Sequence, residues 1–228
     1  MAPQRLQEKA RSYHQALVAE FGPEALAAGG NLFLGWRYAQ TDRIYLGLNP
    51  GTADVGDDLP FETDLGAREE TPLYEESRLP YWRNFRRFFD APRLREWMDD
   101  TTHAFLIPWR AYSTTALRNT PWYEKALEYS GDLVRTMIHD HHARIVVVAG
   151  KHCLALLASK WFLDFDWQAS SVYSHGSGTY QWRKVLHGDM AIYQLPHFSR
   201  ANSEGRLDLC RAWFVNEVLG SDITDAVE

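Results

Sequence analysis

Two short segments of this sequence carry side chains suited to chemistry. The first is Gly47-Leu48-Asn49-Pro50-Gly51. Gly and Pro force a sharp turn, and Gly51 lets a ligand approach the backbone closely. Asn49 offers a carbonyl acceptor and an amide donor, which can orient a water without acting as a strong base. An ordinary turn with Asn49 bonded to its own backbone uses the same residues. The second segment is Pro196-His197-Phe198-Ser199-Arg200-Ala201-Asn202. A His in such a loop can donate a hydrogen bond to negative charge developing on a leaving group. It can equally be a structural His bonded to a backbone carbonyl. Phe198 also fits a core role, and Ser199 and Asn202 fit turn or N-cap roles. Ser199 beside His197 makes no triad. With no G-x-S-x-G elbow in the chain, a hydrolase of that type is not expected.

The elements that must position these segments are readable as four apolar runs: Arg43–Leu48, His103–Ile107, Arg144–Ala149 and Ala191–Leu195. Their β-branched, near-continuous apolar character predicts strands buried on both faces. A short extra strand is expected over Gln181–Leu186. Helical patterns fall at Pro3–Phe21, Pro80–Asp90, Trp122–Asp140, Lys151–Lys160 and Leu207–Leu219. Strands alternating with helices predict an α/β fold, a three-layer αβα sandwich around a mostly parallel four-stranded sheet. The chain reads as a single domain over 1–228, with residues 1–30 as a leading helical segment. Each core strand runs into a distinctive loop, and ligands of open α/β sheets bind outside the carboxyl ends of strands. The unusual residues therefore gather on one edge.

Composition narrows the function classes. The 228 residues are 45% hydrophobic, with nine Trp and eleven Phe, enough for a full core. No apolar run reaches the length of about 20 residues that a membrane span needs. The N-terminal stretch lacks the apolar core of a secretory signal. With Cys153 and Cys210 alone, an iron–sulfur cluster held by four Cys is impossible and a disulfide framework is not expected, so a cytoplasmic setting fits. His139, His141 and His142 close a helix, where imidazole suits the negative dipole end. No carboxylate or Cys spacing completes a zinc site there, so neither a metal nor a cofactor is assigned. A net charge of −6 disfavours non-specific nucleic-acid binding, although a local basic face suffices for a small enzyme. Tyr81-Trp82-Arg83-Asn84-Phe85-Arg86-Arg87-Phe88-Phe89 is one such segment. It reads either as a DNA-facing surface or as an amphipathic helix with a solvated basic side.

Taken together, GLNPG and the later HFSRAN resemble the two active-site motifs of the uracil-DNA glycosylase superfamily. The nearest resemblance is to the single-strand-selective and mismatch-specific branches, whose motifs read G-[MI]-N-P-G and H-P-S-P-R-N. It spans roughly residues 43 to 215. It implies that Asn49 positions the hydrolytic water and that His197 bonds a carbonyl oxygen of the base. Leu59-Pro60-Phe61 falls where the family places an aromatic under the extruded base, making Phe61 the stacking platform, with core packing as its other reading. Gly47, Leu48 and Gly51 would line the base pocket. Pro50, Lys151, Ser199, Arg200 and Asn202 would meet DNA, and the loop Arg200–Arg206 would enter the stack, Arg206 filling the gap. Two departures stand out. HPS has become HFS, where the bulky Phe198 could still help wedge the duplex. The residue that reads the base edge in some members falls here on Phe105, whose ring cannot make paired hydrogen bonds to a pyrimidine.

The expected function is thus a monofunctional DNA glycosylase that removes a uracil, deaminated or modified base and leaves an abasic site. DNA is the expected partner, with no membrane and a monomer as the default. The Phe105 substitution keeps open a glycosylase acting on hypermodified pyrimidines of phage DNA, in defence. A non-catalytic module that binds a modified base or nucleotide, and a nucleoside hydrolase, are the further alternatives.

Overall fold

Tyr45 points to one side of the sheet and its neighbours Ile44 and Leu46 to the other, and that alternation organises the molecule. A computed structural model of the chain describes residues 2–26, 41–48, 80–109, 114–161, 166–175, 180–198 and 205–220. The strands are β1 (Arg43–Gly47), β2 (Thr102–Phe105), β3 (Ile145–Ala149), β4 (Asp166–His175), β5 (Tyr180–His187) and β6 (Met190–Leu195). The helices are α1 (Ala2–Phe21), α2 (Pro80–Phe89), α3 (Pro92–Asp99), α4 (Thr114–Arg118), α5 (Tyr123–Asp140), α6 (Lys151–Leu156) and α7 (Arg206–Leu219).

The sheet order is β2-β1-β3-β6-β5-β4. The first four strands are parallel, pairing β1 with β2, β1 with β3, and β3 with β6. These are the four apolar runs of the sequence. The sheet is nevertheless larger than the four strands expected. The short extra strand becomes β5, antiparallel to β6, and β4 adds an antiparallel edge that the sequence did not announce. The β4 sequence DWQASSVYSH has no continuous apolar run, because an edge strand paired on one side need not be buried on both faces.

Helices cover both faces. One face presents Leu46, Ala104, Val146, Val148 and Ile192 to α1, α5 and α6. The other presents Tyr45, Phe105, Val147, Tyr193 and Leu195 to α2, α3 and α7. Helices α3 and α4 were not expected from the sequence; α3 starts with Pro92 in its first turn, where a missing N–H costs nothing. The helix expected over Lys151–Lys160 widens after Leu156 into a π-helical turn, Leu157–Trp161. That turn lays the Trp161 indole on Gly131, where any Cβ would collide with it. Trp161 Nε1–H donates to the Leu127 carbonyl, 3.2 Å. Cys153 and Cys210 are free, buried thiols. Among the described residues, no helix is long and apolar enough to cross a membrane.

His103 of β2 is fully buried between the Tyr45 and Phe85 rings, with Nε2–H donating to the Met98 carbonyl, 3.2 Å. Burial pushes its pKa down to about 4, so it stays neutral in the fold through most of the acid range. The unfolded chain binds this proton below about 6.5. Between those two values the unfolded state holds more protons, so stability falls as pH drops from 6.5 to 4 and is level again below. The loss from His103 is on the order of 3 kcal/mol. Urea midpoints at pH 7, 6 and 5 are expected to decline in that order; a flat series contradicts it.

Candidate active site

The edge where the chemistry-bearing loops emerge is fixed by topology. From β1 the chain passes through α2 and α3 on one face to reach β2; from β2 it passes through α4 and α5 on the other face to reach β3. The helices that follow β1 and β3, α2 and α6, lie on opposite faces of the sheet. The carboxyl ends of β1 and β3 therefore meet at a switch point, the place where ligands of open α/β sheets bind. The end of β6 lies beside β3 at the same edge. β1 and β6 flank β3, so their ends lie two strand spacings apart, roughly 10 Å. That span accommodates a planar heterocycle.

His197 stands at the end of β6, exposed, between buried Pro196 and buried Phe198. Three neighbours fix its mount. Gly150 N–H, just past β3, donates to the Leu195 carbonyl, 2.8 Å, and ties the two strand ends together. Gly150 has φ 91°, and a Cβ there would lie 3.2 Å from His197 Cβ and 3.3 Å from Cδ2. A glycine thus serves both the left-handed backbone and the close approach of the imidazole. The Tyr81 ring, near the start of α2, meets the His197 ring edge-on at 5.3 Å. Asn84 Nδ2 donates to the Phe198 carbonyl, 2.7 Å. The loop is therefore clamped from α2 and from β3.

Phe198 itself is fully buried, with Tyr81, Phe85 and Phe88 rings 5.5–5.7 Å away. This packing matches the core reading of Phe198 rather than the wedge: the ring anchors the loop to α2 and faces no solvent. Behind His197, the Tyr81 and Tyr45 hydroxyls are 2.8 Å apart. Burial raises both phenol pKa values, so both stay protonated around neutrality. The pair caps an uncharged aromatic floor beneath the imidazole.

The other residues singled out in the sequence divide into two sets. Gly47 is buried, and its carbonyl accepts the Leu106 N–H, 2.8 Å; Leu48 is half-buried and accepts from Ile107, 2.9 Å. These bonds zip the tail of β2 onto the end of β1. Phe105 sits opposite Gly47 in the parallel register and is 5% exposed in the aromatic layer under α2. Lys151 is exposed on the first turn of α6. Arg206 opens α7. Asn49, Pro50, Gly51, Phe61, Ser199, Arg200 and Asn202 lie outside the described residues. Trp109, which follows β2, is fully buried in the opposite layer, its Nε1–H donating to His14 Nδ1, 3.3 Å. Among the described residues no group of three His, Cys, Asp or Glu could hold a metal. His141 is instead bonded through Nδ1 to the Thr41 carbonyl, 2.8 Å.

Sequence reasoning missed Tyr45, and it named Tyr81 and Asn84 only within a DNA-facing or amphipathic segment, not as supports of the His197 loop. A signal existed for Asn84: it is a lone amide on an aromatic helix, three residues from Tyr81 and therefore on the same side. A buried amide among rings needs a partner, and a loop carbonyl supplies one. What the described arrangement can do chemically is present one imidazole, rigidly held above a neutral aromatic floor, to a ligand lying across the end of β3. The chain matches no protein-family model and no curated protein.

Proposed function

We propose that the chain is a monofunctional DNA glycosylase, hydrolysing the N-glycosidic bond of an extruded base. The observation that carries this reading is the placement of His197 and of Gly47-Leu48, where the GLNPG segment begins, at strand ends on either side of β3. The resemblance of both segments to the uracil-DNA glycosylase motifs supports it. The target base leaves the stack before its bond can be reached. Its plane rests on Phe61. As the C1′–N bond breaks, the sugar gains oxocarbenium character and the base gains negative charge. His197 donates a hydrogen bond to the base oxygen that takes up that charge. Asn49 holds a water on the far side of C1′; its oxygen bonds to C1′, and its proton is released as the base departs. No Lys attack is involved, so the product is an abasic site in an unbroken strand. Ser199, Arg200, Asn202, Pro50 and Lys151 are assigned to the phosphate backbone, and Arg206 to the gap left by the base.

The burial of Phe105 favours a second reading of the substrate. With that position closed and apolar, the edge contacts that select uracil in amide-bearing members have no counterpart there. A hypermodified pyrimidine, as in phage DNA, then becomes the alternative base. The test is base release from oligonucleotides carrying uracil, hypoxanthine, xanthine, 5-hydroxymethyluracil or glucosylated hydroxymethylcytosine, single- and double-stranded, with alkali to cleave abasic sites. Release of uracil or another deaminated base is the expected result. Release of the bulky base alone assigns the defence role. Tight binding without release from any strand replaces the enzyme by a recognition module.

A further inference from the structure

The α2 segment PYWRNFRRFF holds three Arg and no acidic residue in a chain of net charge −6. Its apolar side is committed: Trp82, Phe85, Phe88 and Phe89 are buried, while Arg83 and Arg87 are exposed. Residues four apart share one helix face, so Arg83 and Arg87 form a row along the outer side of α2. The row has a direction. Tyr81, in the first turn, touches His197, so Arg83 is the member nearer the site and Arg87 lies one turn farther away. Arg87 is held by Asp208 of α7 at 3.1 Å, and Arg211 shares that carboxylate at 3.2 Å. Arg83 has no ion pair among the described residues. Toward the end of α2 that meets His197, the row therefore ends in an exposed guanidinium, while its neighbour in the row is already ion-paired.

We infer that this outer face of α2 is a docking surface for the phosphodiester backbone of the strand that reaches His197, with Arg83 contacting a phosphate. The inference rests on the glycosylase reading for the identity of the polyanion. An exposed guanidinium suits a phosphate because its planar fork gives two parallel charge-assisted hydrogen bonds. The aromatic side of α2 already clamps the His197 loop through Tyr81 and Asn84, so a strand held on Arg83 is indexed to the same helix that holds the imidazole.

The test is anisotropy of a fluorescein-labelled single-stranded oligonucleotide with the full chain, across a salt series. Arg83→Gln is expected to weaken binding about fivefold near 0.1 M salt and to make the slope of log affinity against log salt shallower by about 0.7, the value of one lost phosphate contact. Arg83→Lys is expected to keep the slope, because a point charge still neutralises the phosphate. Arg135→Gln, an equal charge change on exposed α5 across the sheet, is expected to leave both values as in the wild type. An unchanged slope in Arg83→Gln, or the same loss in Arg135→Gln, overturns the inference. The two readings separate cleanly. A wild type that binds strands in an Arg83-dependent way but releases no base overturns the glycosylase and keeps this surface. A wild type that releases base while Arg83→Gln binds equally does the reverse.

Discussion

His197→Ala is expected to slow base release about 10²- to 10³-fold, a loss of roughly 3–4 kcal/mol of transition-state stabilisation. The size follows from the mount rather than from the residue type alone. A donor is worth most when it is already aimed and no reorganisation is left for the moment of reaction. Here the imidazole is backed by the Tyr81 ring at 5.3 Å and by the Gly150 backbone, and its own loop is bonded to Asn84. The floor behind it is a hydroxyl pair that stays neutral, so no nearby charge from that side competes with the base oxygen. Because His197 is exposed, its removal opens no core cavity, and the urea midpoint is expected to change little. Oligonucleotide affinity is expected to fall far less than the rate, since the bond strengthens only as charge develops. Single-turnover release from a strand that the wild type processes is the measurement. Full rates in both His197→Ala and Asn49→Ala would sink the mechanism.

The parts of this fold that could be read in the sequence are those where a residue's surroundings are uniform. RIYLG, THAF, IVVVA and MAIYQL pack between two helical layers, so both faces had to be apolar and the runs stand out. β4 is paired at one edge only, and its polar-rich sequence follows from that. Lys151–Trp161 changes from α to π winding because Trp161 must settle on Gly131, a tertiary demand that local propensity does not encode. The same distinction applies at the site. The strand-end position of His197 is dictated by the run that precedes it, and so was legible. Its neighbours come from α2, more than a hundred residues earlier, and from the turn after β3. Nothing in the spacing of Tyr81, Asn84 and Gly150 marks them as a set; the parallel sheet brings them together. Phe105 was legible as part of an apolar run, and its burial opposite Gly47 gives that reading a physical content.

Phe198→Ala is expected to destabilise the fold by about 3–5 kcal/mol, the range for removing a fully buried ring from a packed core. Phe198 is fully buried, with four aromatic rings of α2, those of Tyr81, Phe85, Phe88 and Phe89, packed around it. Its removal leaves a cavity between the loop and α2 that the strand ends cannot close, because Gly150 is fixed to Leu195 on the other side. Phe198→Leu, which keeps much of the volume, is expected to cost far less. Urea midpoints separate these cases from a wedge role. A residue that only enters DNA would leave the midpoint unchanged in both variants while lowering release from duplex more than from single strands. With the ring where the structure puts it, Phe198→Ala is expected to lower the midpoint and to slow release from single and double strands alike, since the imidazole next to it loses its anchor. The Phe of HFS, where the motif it resembles has a turn-fixing Pro, then has a physical role. The proline restricts the backbone from within the chain, whereas the phenylalanine restricts it from outside, through an aromatic layer supplied by α2.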